Sequence, residues 1–366
     1  MVFRIARSPT LKHTILRKSY ATVGSTTYVG KPPKLPINAP PFSPTPASAF
    51  NSRILATLDQ TSPSLPALVE QYIDNSGNVL GVSLPYESRP TTERKLSFKD
   101  ANQSVFMVAH ALQHGSEHKV TICSGFALNA TSGPGSDSSA NGDDAIVVTC
   151  AHTLEEIRHS SLMSSLLPTD KGAVLLTSPK SSSTSKKTKS GSFVISNSPS
   201  GSDSFYPVTG IQSALHKSDL ILLSLSSPSK SALRSLPVSP YPVHPGTAIR
   251  AHFVVDKMPE EEGWRPWIGG TWSKWVKGTV LGYRDFAGRE AEPGTYDALS
   301  HMLFKPLPTP GSSGGPIIDE ESGAVVGMML GTRMDNRVEG VRGWGVPAET
   351  IFEMFSLPGL KLKNKA

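Results

Sequence analysis

Short apolar runs separated by turn-forming residues make up most of the chain after about residue 103. The runs are rich in Val, Ile, Leu and Phe, and the segments between them are rich in Gly, Pro, Ser and Asp. This pattern predicts strands, because β-branched and aromatic side chains pack well on a pleated sheet. The predicted strands cover residues 104–109, 119–123, 126–128, 145–150, 173–176, 220–225, 247–255, 275–282, 301–304, 324–330 and 343–346.

A Pro-rich connector at residues 237–246 divides these strands into two groups. Many short strands with turn-bounded spacing favour an all-β barrel or sandwich pair, and the strand–helix alternation of a parallel sheet is missing from the pattern. We therefore predict one β-domain over residues 103–236 and a second over residues 247–357. The second is predicted to end in a helix at residues 348–355, followed by a tail at residues 358–366.

The positive charge of the chain is concentrated at its beginning. Residues 1–58 contain eight Lys or Arg and no acidic residue, so the net charge of +6 leaves −2 for the remainder. A basic body that binds nucleic acid is therefore not expected. No run of about 18 apolar residues occurs, so no membrane-spanning segment is expected either.

Residues 1–20 are basic, rich in hydroxyl groups and free of acids, which is typical of a mitochondrial transit peptide. Cleavage after Tyr20 is the expected processing step, and the alternative is a disordered basic tail without a targeting role. Residues 21–50 are Pro-rich and predict a disordered linker. Residues 51–102 predict a loosely structured extension with a helix at residues 64–73, and the Ser/Lys-rich residues 178–204 predict a mobile insertion.

The state of the two cysteines has two interpretations. Cys123 and Cys150 lack metal-site spacing, so free buried thiols are expected, with one bridge as the alternative in an oxidising compartment. No metal or cofactor is expected.

Four of the five tryptophans are clustered within twelve residues, and this cluster favours the core of a hairpin over a recognition platform. They are Trp264, Trp267, Trp272 and Trp275.

The segment PGSSGGP at residues 310–316 has two interpretations. One is a flexible turn, and the other is a strained loop that exposes the hydroxyl of Ser313 beside free backbone N–H groups. It formally matches the G-x-S-x-G elbow of α/β-hydrolases, but that fold places its histidine after the serine. The last histidine is His301, so this fold is excluded and any catalytic base precedes the loop.

His152 and Asp219 are the candidate base and acid. His152 directly follows the apolar run 145–150, which would hold it at the rim of a sheet. Asp219 opens the apolar run 220–225, where a carboxylate is costly to bury unless it has a partner such as a histidine N–H. Asp170 and Asp203 lie in polar segments and are weaker candidates.

The segments VVTCAHTL, SDLILL and PGSSGGP occur in the order His152, Asp219, Ser313. This order resembles that of trypsin-like serine proteases. SGF at 124–126 and GWGVPA at 343–348 are similar to segments of the disulfide-poor HtrA/Deg-like branch. The resemblance implies two six-stranded antiparallel β-barrels of the chymotrypsin type, with a short C-terminal helix and an N-terminal extension. Cys150 replaces the family's alanine, and we expect no PDZ domain after the second barrel.

The resemblance also implies roles for individual residues. Ser313 is expected to be the nucleophile, His152 the base and Asp219 the acid that orients it. The N–H groups of Gly311 and Ser313 would form the oxyanion hole, and Leu330-Gly331-Thr332 would pair with the substrate backbone. Ser312 replaces the aspartate of trypsin-type zymogens, so activation through a new N-terminus is not expected.

The expected activity is that of a serine endopeptidase acting on polypeptides, in mitochondrial protein processing or quality control. The first alternative is an inactive pseudoprotease that binds peptides or proteins, and the second is an esterase or amidase with the same catalytic groups. Residues 305–310 contain no acid, which favours an apolar or small residue before the scissile bond. The sequence leaves the oligomeric state open.

Overall fold

The computed structural model describes residues 47–60, 63–98, 104–130, 145–164, 188–197, 203–225 and 233–357. The helices are α1 (Ala49–Thr57), α2 (Leu65–Asp74), α3 (His152–Arg158), α4 (Ser161–Ser164) and α5 (Glu349–Phe352). The strands are β1 (Val105–His114), β2 (Glu117–Leu128), β3 (Ala145–Cys150), β4 (Thr188–Asn197), β5 (Asp203–Leu215), β6 (Leu220–Leu225), β7 (Ser235–Leu236), β8 (Ala248–Val255), β9 (Arg265–Pro266), β10 (Trp272–Arg284), β11 (Glu290–Ala291), β12 (His301–Lys305), β13 (Pro316–Asp319), β14 (Val325–Asn336) and β15 (Gly340–Pro347).

The first six strands form a closed barrel. Their order is β1-β4-β5-β6-β3-β2, and antiparallel pairing of β1 with β2 closes the ring. The short β7 adds to β2 in parallel outside this ring. β3 and β6 are buried along nearly their whole length, which explains their continuous apolar sequences. The predicted first barrel is confirmed.

The second barrel also has six strands in a closed ring. Their order is β10-β12-β15-β14-β13-β8, and β8 pairs with β10 to complete it. β9 and β11 extend β10 at its two ends. The β9–β10 pairing forms the tryptophan-rich hairpin, in which Trp267 and Trp275 contact the buried His252 at ring-centroid distances of 5.0 and 5.1 Å. The predicted hairpin is therefore present, and of the four tryptophans only Trp267 is buried.

The expected mobile insertion at residues 178–204 is wrong in part, because it contains a strand of the first barrel. β4 pairs with both β1 and β5, and its residues 191–196 are buried. Its serines are compatible with the barrel because they have partners there. Ser192 Oγ lies 2.8 Å from Nδ1 of the buried His110. Hydrogen bonds to neighbouring strands thus make it possible to bury these serines. The polar sequence of β4 therefore does not exclude it from the barrel core.

Other boundaries also differ from the sequence prediction. The two runs at 119–123 and 126–128 belong to one strand, β2, and the predicted terminal helix is confined to α5. β5 and β13 are not predicted, because neither has a long apolar run. The predicted strand at 173–176 and the transit peptide at 1–20 lie outside the described residues. Within the described part, no helix is both long and apolar enough to cross a membrane.

The extension before the first barrel packs firmly on it. Leu65, Leu68 and Tyr72 of α2, the helix predicted at 64–73, are buried in a core cluster with residues of the first barrel. Gln71 Oε1 accepts a hydrogen bond from the N–H of Ile211 at 2.9 Å. The Tyr72 hydroxyl lies 2.6 Å from His216 Nδ1, in the turn that leads to Asp219. α2 therefore supports the turn that carries the candidate acid.

We expect Tyr72→Phe to lower the free energy of unfolding by about 0.5–1.5 kcal/mol, because it removes the partly buried hydrogen bond to His216 and keeps the ring. Urea unfolding of the two proteins measures the difference. Tyr241→Phe is the matched control, since Tyr241 is 61% exposed. Equal effects of the two substitutions would show that the Tyr72–His216 contact does not stabilise the turn.

Candidate active site

Strand pairing brings His152 and Asp219 together. β3 and β6 are antiparallel with Cys150 opposite Leu220, so Ala151 lies opposite Asp219 and His152 follows one residue later. Asp219 has φ of 56° and ψ of 40°, and it is the only described residue other than glycine with a positive φ. This left-handed conformation costs about 1–2 kcal/mol for a residue with a side chain. It is maintained here by the contacts of its carboxylate.

The Asp219 carboxylate orients the His152 ring. Oδ2 lies 2.6 Å from His152 Nδ1, and Oδ1 accepts hydrogen bonds from the N–H groups of Ala151 at 2.8 Å and His152 at 2.7 Å. An ionised carboxylate only accepts, so Nδ1 carries a proton and Nε2 is the basic nitrogen of neutral His152. The three contacts fix both the tautomer and the position of the ring.

The surroundings of His152 make its ring more basic. Burial works to lower the pKa, but the hydrogen bond and charge of Asp219, with smaller contributions from Cys123 and Glu156, outweigh it and raise the pKa of His152 above its usual value. The imidazolium is thus stabilised by the neighbouring carboxylate. This is the behaviour required of a base that must hold a proton briefly.

The loop at residues 310–316 is held in place by the hydrogen bonds of Ser312. Ser312 is fully buried, and its Oγ accepts a hydrogen bond from the Val254 N–H at 2.9 Å and lies 2.9 Å from Thr309 Oγ1. Thr309 Oγ1 donates to the Val254 carbonyl oxygen at 2.7 Å. The buried Ser312 hydroxyl is therefore satisfied by Thr309 and by Val254 of β8.

Two backbone N–H groups of the loop have no acceptor. Ser312, Gly314 and Gly315 donate to the carbonyl oxygens of Thr309, Met329 and Ser312. In the described part of the chain, the N–H groups of Gly311 and Ser313 make no such hydrogen bond. Gly311 has φ of 88°, a conformation that glycine adopts without strain. The two unpaired donors are those predicted for an oxyanion hole.

Ser124 joins the loop to the first barrel. Its N–H donates to the Ser313 carbonyl oxygen at 2.7 Å, and its hydroxyl donates to that of Gly311 at 2.9 Å. Thr149 Oγ1 in turn donates to the Ser124 carbonyl oxygen at 2.6 Å. The motif SGF points to Ser124 as part of the first barrel, but its role as the contact between the barrels follows only from the structure.

The Ser313 hydroxyl donates to the Leu330 carbonyl oxygen at 2.9 Å. Among the described residues, no hydrogen bond joins it to His152, whose Nε2 lies 3.7 Å from Cys150 Sγ. Both cysteines are buried and free, as expected. Burial raises the pKa of the Cys150 thiol, so the group beside the imidazole is neutral. The sequence analysis assigns no role to this thiol.

The remaining candidates fall in two groups. Leu330-Gly331-Thr332 lies beside the loop, because Leu330 accepts the Ser313 hydroxyl. Asp203 instead forms an ion pair with Arg53 at 2.9 Å, and Asp170 lies outside the described residues. No cluster of three or more His, Cys, Asp or Glu suited to a metal ion occurs in the described part of the chain.

One family model and several solved structures are similar to this chain. The family model of the trypsin-like peptidase domain matches residues 123–328. The MamO protease domain from Magnetospirillum magneticum is similar in structure, with 16% identity over 68% of this chain and 94% of that chain and a TM-score of 0.36. Deg5 shows 13% identity over 69% of this chain and 88% of its own, with a TM-score of 0.41. A search of curated proteins finds no match.

We expect Gly314→Ala to disrupt the junction between the barrels. A Cβ at this position would lie 2.1 Å from the Ser124 carbonyl oxygen and 2.6 Å from Thr149 Oγ1. Gly288→Ala is the matched control, since its φ of 79° is close to the 81° of Gly314 and no atom lies within 4 Å of its Cβ position. Thermal unfolding should show a loss of about 1 kcal/mol for Gly288→Ala and a clearly larger one for Gly314→Ala. Equal losses would mean that the close contact with Ser124 is unimportant.

Proposed function

Because this chain belongs to the trypsin-like peptidase family, we propose that it is a serine endopeptidase that cleaves polypeptides through an acyl-enzyme. The observation that carries the proposal is a serine loop in which the N–H groups of Gly311 and Ser313 have no acceptor among the described residues. At Gly314 this loop packs against Cys150, two residues before the His152 ring that Asp219 orients. These features together favour the nucleophile loop over a flexible Ser/Gly turn.

In the first half-reaction, Ser313 Oγ leaves its hydrogen bond to Leu330 and rotates toward His152. Its oxygen attacks the peptide carbonyl carbon while its proton passes to His152 Nε2. The tetrahedral intermediate then collapses, the C–N bond breaks, and Nε2 returns the proton to the leaving amine. In the second half-reaction, water attacks the ester in the same way and releases the acid and free Ser313.

The surrounding groups stabilise the charges that develop in each step. The Gly311 and Ser313 N–H groups face no competing acceptor in the described residues, so they are available to the oxyanion. A single donor of this kind typically lowers the barrier by about 3–4 kcal/mol. Asp219 stabilises the imidazolium that forms at His152. The edge at Leu330-Gly331-Thr332 would bind the substrate as an added strand.

An inactive peptide-binding module is the weaker alternative. In an inactive protein, the Ser313 hydroxyl could remain hydrogen-bonded to the Leu330 carbonyl oxygen. Rotation of the Ser313 side chain alone would break this hydrogen bond. A peptide-binding module would not require the contact by which Asp219 orients the His152 ring.

Cleavage of an unfolded protein such as casein tests the proposal, with a simple ester assayed in parallel. We expect the wild-type protein to cleave casein and Ser313→Ala to lose this activity by a factor on the order of 10⁶. Ser52→Ala, on the exposed face of α1, should retain the wild-type rate. Hydrolysis of the ester without cleavage of casein would favour an esterase, and activity that persists in Ser313→Ala would refute the proposal.

The pH profile of kcat/KM tests the role of Asp219. His152 acts as a base only when neutral, so activity should fall as the pH decreases through its raised pKa. Asp219→Asn removes the charge that raises the pKa, so the acid limb should move to lower pH while kcat falls by about 10⁴. Asp203→Asn replaces the rival acid and should leave the profile unchanged. An unshifted acid limb in Asp219→Asn would contradict the assignment.

The proposal extends to the cellular location. The basic, acid-free residues 1–20 support import into mitochondria, where the enzyme would act in protein processing or quality control. N-terminal sequencing of the protein from isolated mitochondria should give Ala21 as the first residue. An intact Met1 on protein found in another compartment would contradict this proposal and leave the peptidase chemistry unaffected.

A further inference from the structure

The extension before the first barrel covers an edge of β5, the strand that leads to the turn with the candidate acid. β4 pairs with β5 only as far as Pro207. Beyond this point, the Ala214 N–H donates to the Asn75 carbonyl oxygen at 3.2 Å, and the Gly77 N–H donates to that of Ala214 at 2.8 Å. The bridge between Ser76 and Ala214 makes this a short parallel pairing. The end of β5 is therefore held by the extension as well as by β6.

Tyr72 is the residue of the extension that reaches the turn itself. Its side chain is buried, and its hydroxyl lies 2.6 Å from Nδ1 of His216. The two rings make an edge contact, with their centroids 4.3 Å apart. His216 begins the turn, and its carbonyl oxygen accepts a hydrogen bond from the N–H of Asp219 at 3.3 Å. Tyr72 therefore binds the residue whose carbonyl oxygen closes this turn.

The same hydroxyl lies close to the helix that begins at the candidate base. Burial is the largest cause of a raised pKa at Tyr72, and hydrogen bonding and the charge of Glu155, on α3, add to it. The charge of Asp219 also raises this pKa, and that of Arg158 lowers it, each by less. Tyr72 is therefore protonated near pH 7. A carboxylate only accepts, so the hydroxyl proton is directed to Glu155 and the oxygen accepts from His216 Nδ1–H.

The two partners of Tyr72 lie on the two sides of the catalytic contact. Glu155 follows His152 by three residues in α3, and His216 precedes Asp219 by three residues in the turn. A movement of the turn relative to α3 would lengthen the contact of 2.6 Å between the Asp219 carboxylate and His152 Nδ1. The left-handed backbone of Asp219 does not favour its position by itself. Contacts from outside the turn are therefore needed to keep the carboxylate in place.

We propose that Tyr72 is a positioning residue of the peptidase reaction, which holds the turn at His216 against α3 and so keeps the Asp219 carboxylate on Nδ1 of His152. The inference rests on the proposed function and adds to that site a residue from outside the two barrels. Cleavage after Tyr20, the processing step proposed above, leaves Tyr72 in the mature enzyme. The extension is thus a fixed part of the active site.

The kinetics of Tyr72→Phe, which removes the hydroxyl and keeps the ring, test this role. With casein as the substrate, kcat should fall on the order of tenfold while KM changes by less than about twofold, because the hydroxyl orients catalytic groups and does not bind the substrate. The acid limb of kcat/KM should move to lower pH, since a less firmly held Asp219 raises the pKa of His152 less. Val69→Ala is the matched control, because it removes buried methyl groups from the same helix and keeps the hydroxyl. It should change neither quantity below its unfolding temperature.

Variants of His216, whose side chain is exposed, test the same contact from the other side. His216→Ala should reproduce the loss of kcat. His216→Asn should restore most of it, because the amide keeps an N–H donor near the position of Nδ1. Combining Tyr72→Phe with His216→Ala should cost no more than His216→Ala alone, since both remove one interaction. Losses that add in the double variant would contradict the proposed contact.

A titration of the His152 ring by NMR tests the inference without catalysis. It is carried out in Ser313→Ala, with and without Tyr72→Phe, and the second substitution should lower the midpoint. The groups that raise the pKa of His152 are Asp219, Cys123 and Glu156. Of these, only Asp219 follows the turn that Tyr72 contacts, so a lower midpoint reports the position of its carboxylate.

The outcomes separate the two proposals. An unchanged midpoint together with an unchanged kcat in Tyr72→Phe would overturn the role of Tyr72 and leave the peptidase proposal intact. A lower midpoint in a protein whose wild-type form does not cleave casein would support the role of Tyr72 in orienting His152 and refute the peptidase proposal. If Tyr72→Phe does not fold, the same two measurements on His216→Ala decide the inference.

Discussion

The hydrogen bonds of Ser124 are the contact on which the candidate site depends. They bind the carbonyl oxygens of Gly311 and Ser313, in the second barrel, to the β2 strand of the first. β2 also pairs with β3, whose end leads into His152. The same strand thus positions both the loop with the serine and the strand that carries the histidine. The space between them admits only a glycine at position 314.

The charge of the Asp219 carboxylate is the second constraint on the candidate site. Asp219 adopts a left-handed conformation that its own side chain disfavours, and three N–H contacts hold its carboxylate there. The carboxylate also raises the pKa of His152. The donors at Gly311 and Ser313 are likewise in place. Rotation of the Ser313 side chain away from Leu330 would free its hydroxyl for the proposed reaction.

Much of this arrangement follows from the sequence, because buried strands have a clear apolar pattern and the loop PGSSGGP has an unusual composition. The order of His152, Asp219 and Ser313 then restricts the fold. β4 is missed because its serines are satisfied by neighbours such as His110, which a one-dimensional pattern does not show. The cross-barrel role of Ser124 and the contact of Cys150 with His152 depend on tertiary geometry.

Labelling with a fluorophosphonate probe, followed by peptide mapping, tests the central claim most directly. The probe reacts with a serine hydroxyl only where a base and an oxyanion hole act together. The account predicts one adduct in the wild-type protein, on Ser313, and none in Ser313→Ala. A wild-type protein that carries no adduct, or an adduct on another residue that persists in Ser313→Ala, would contradict it.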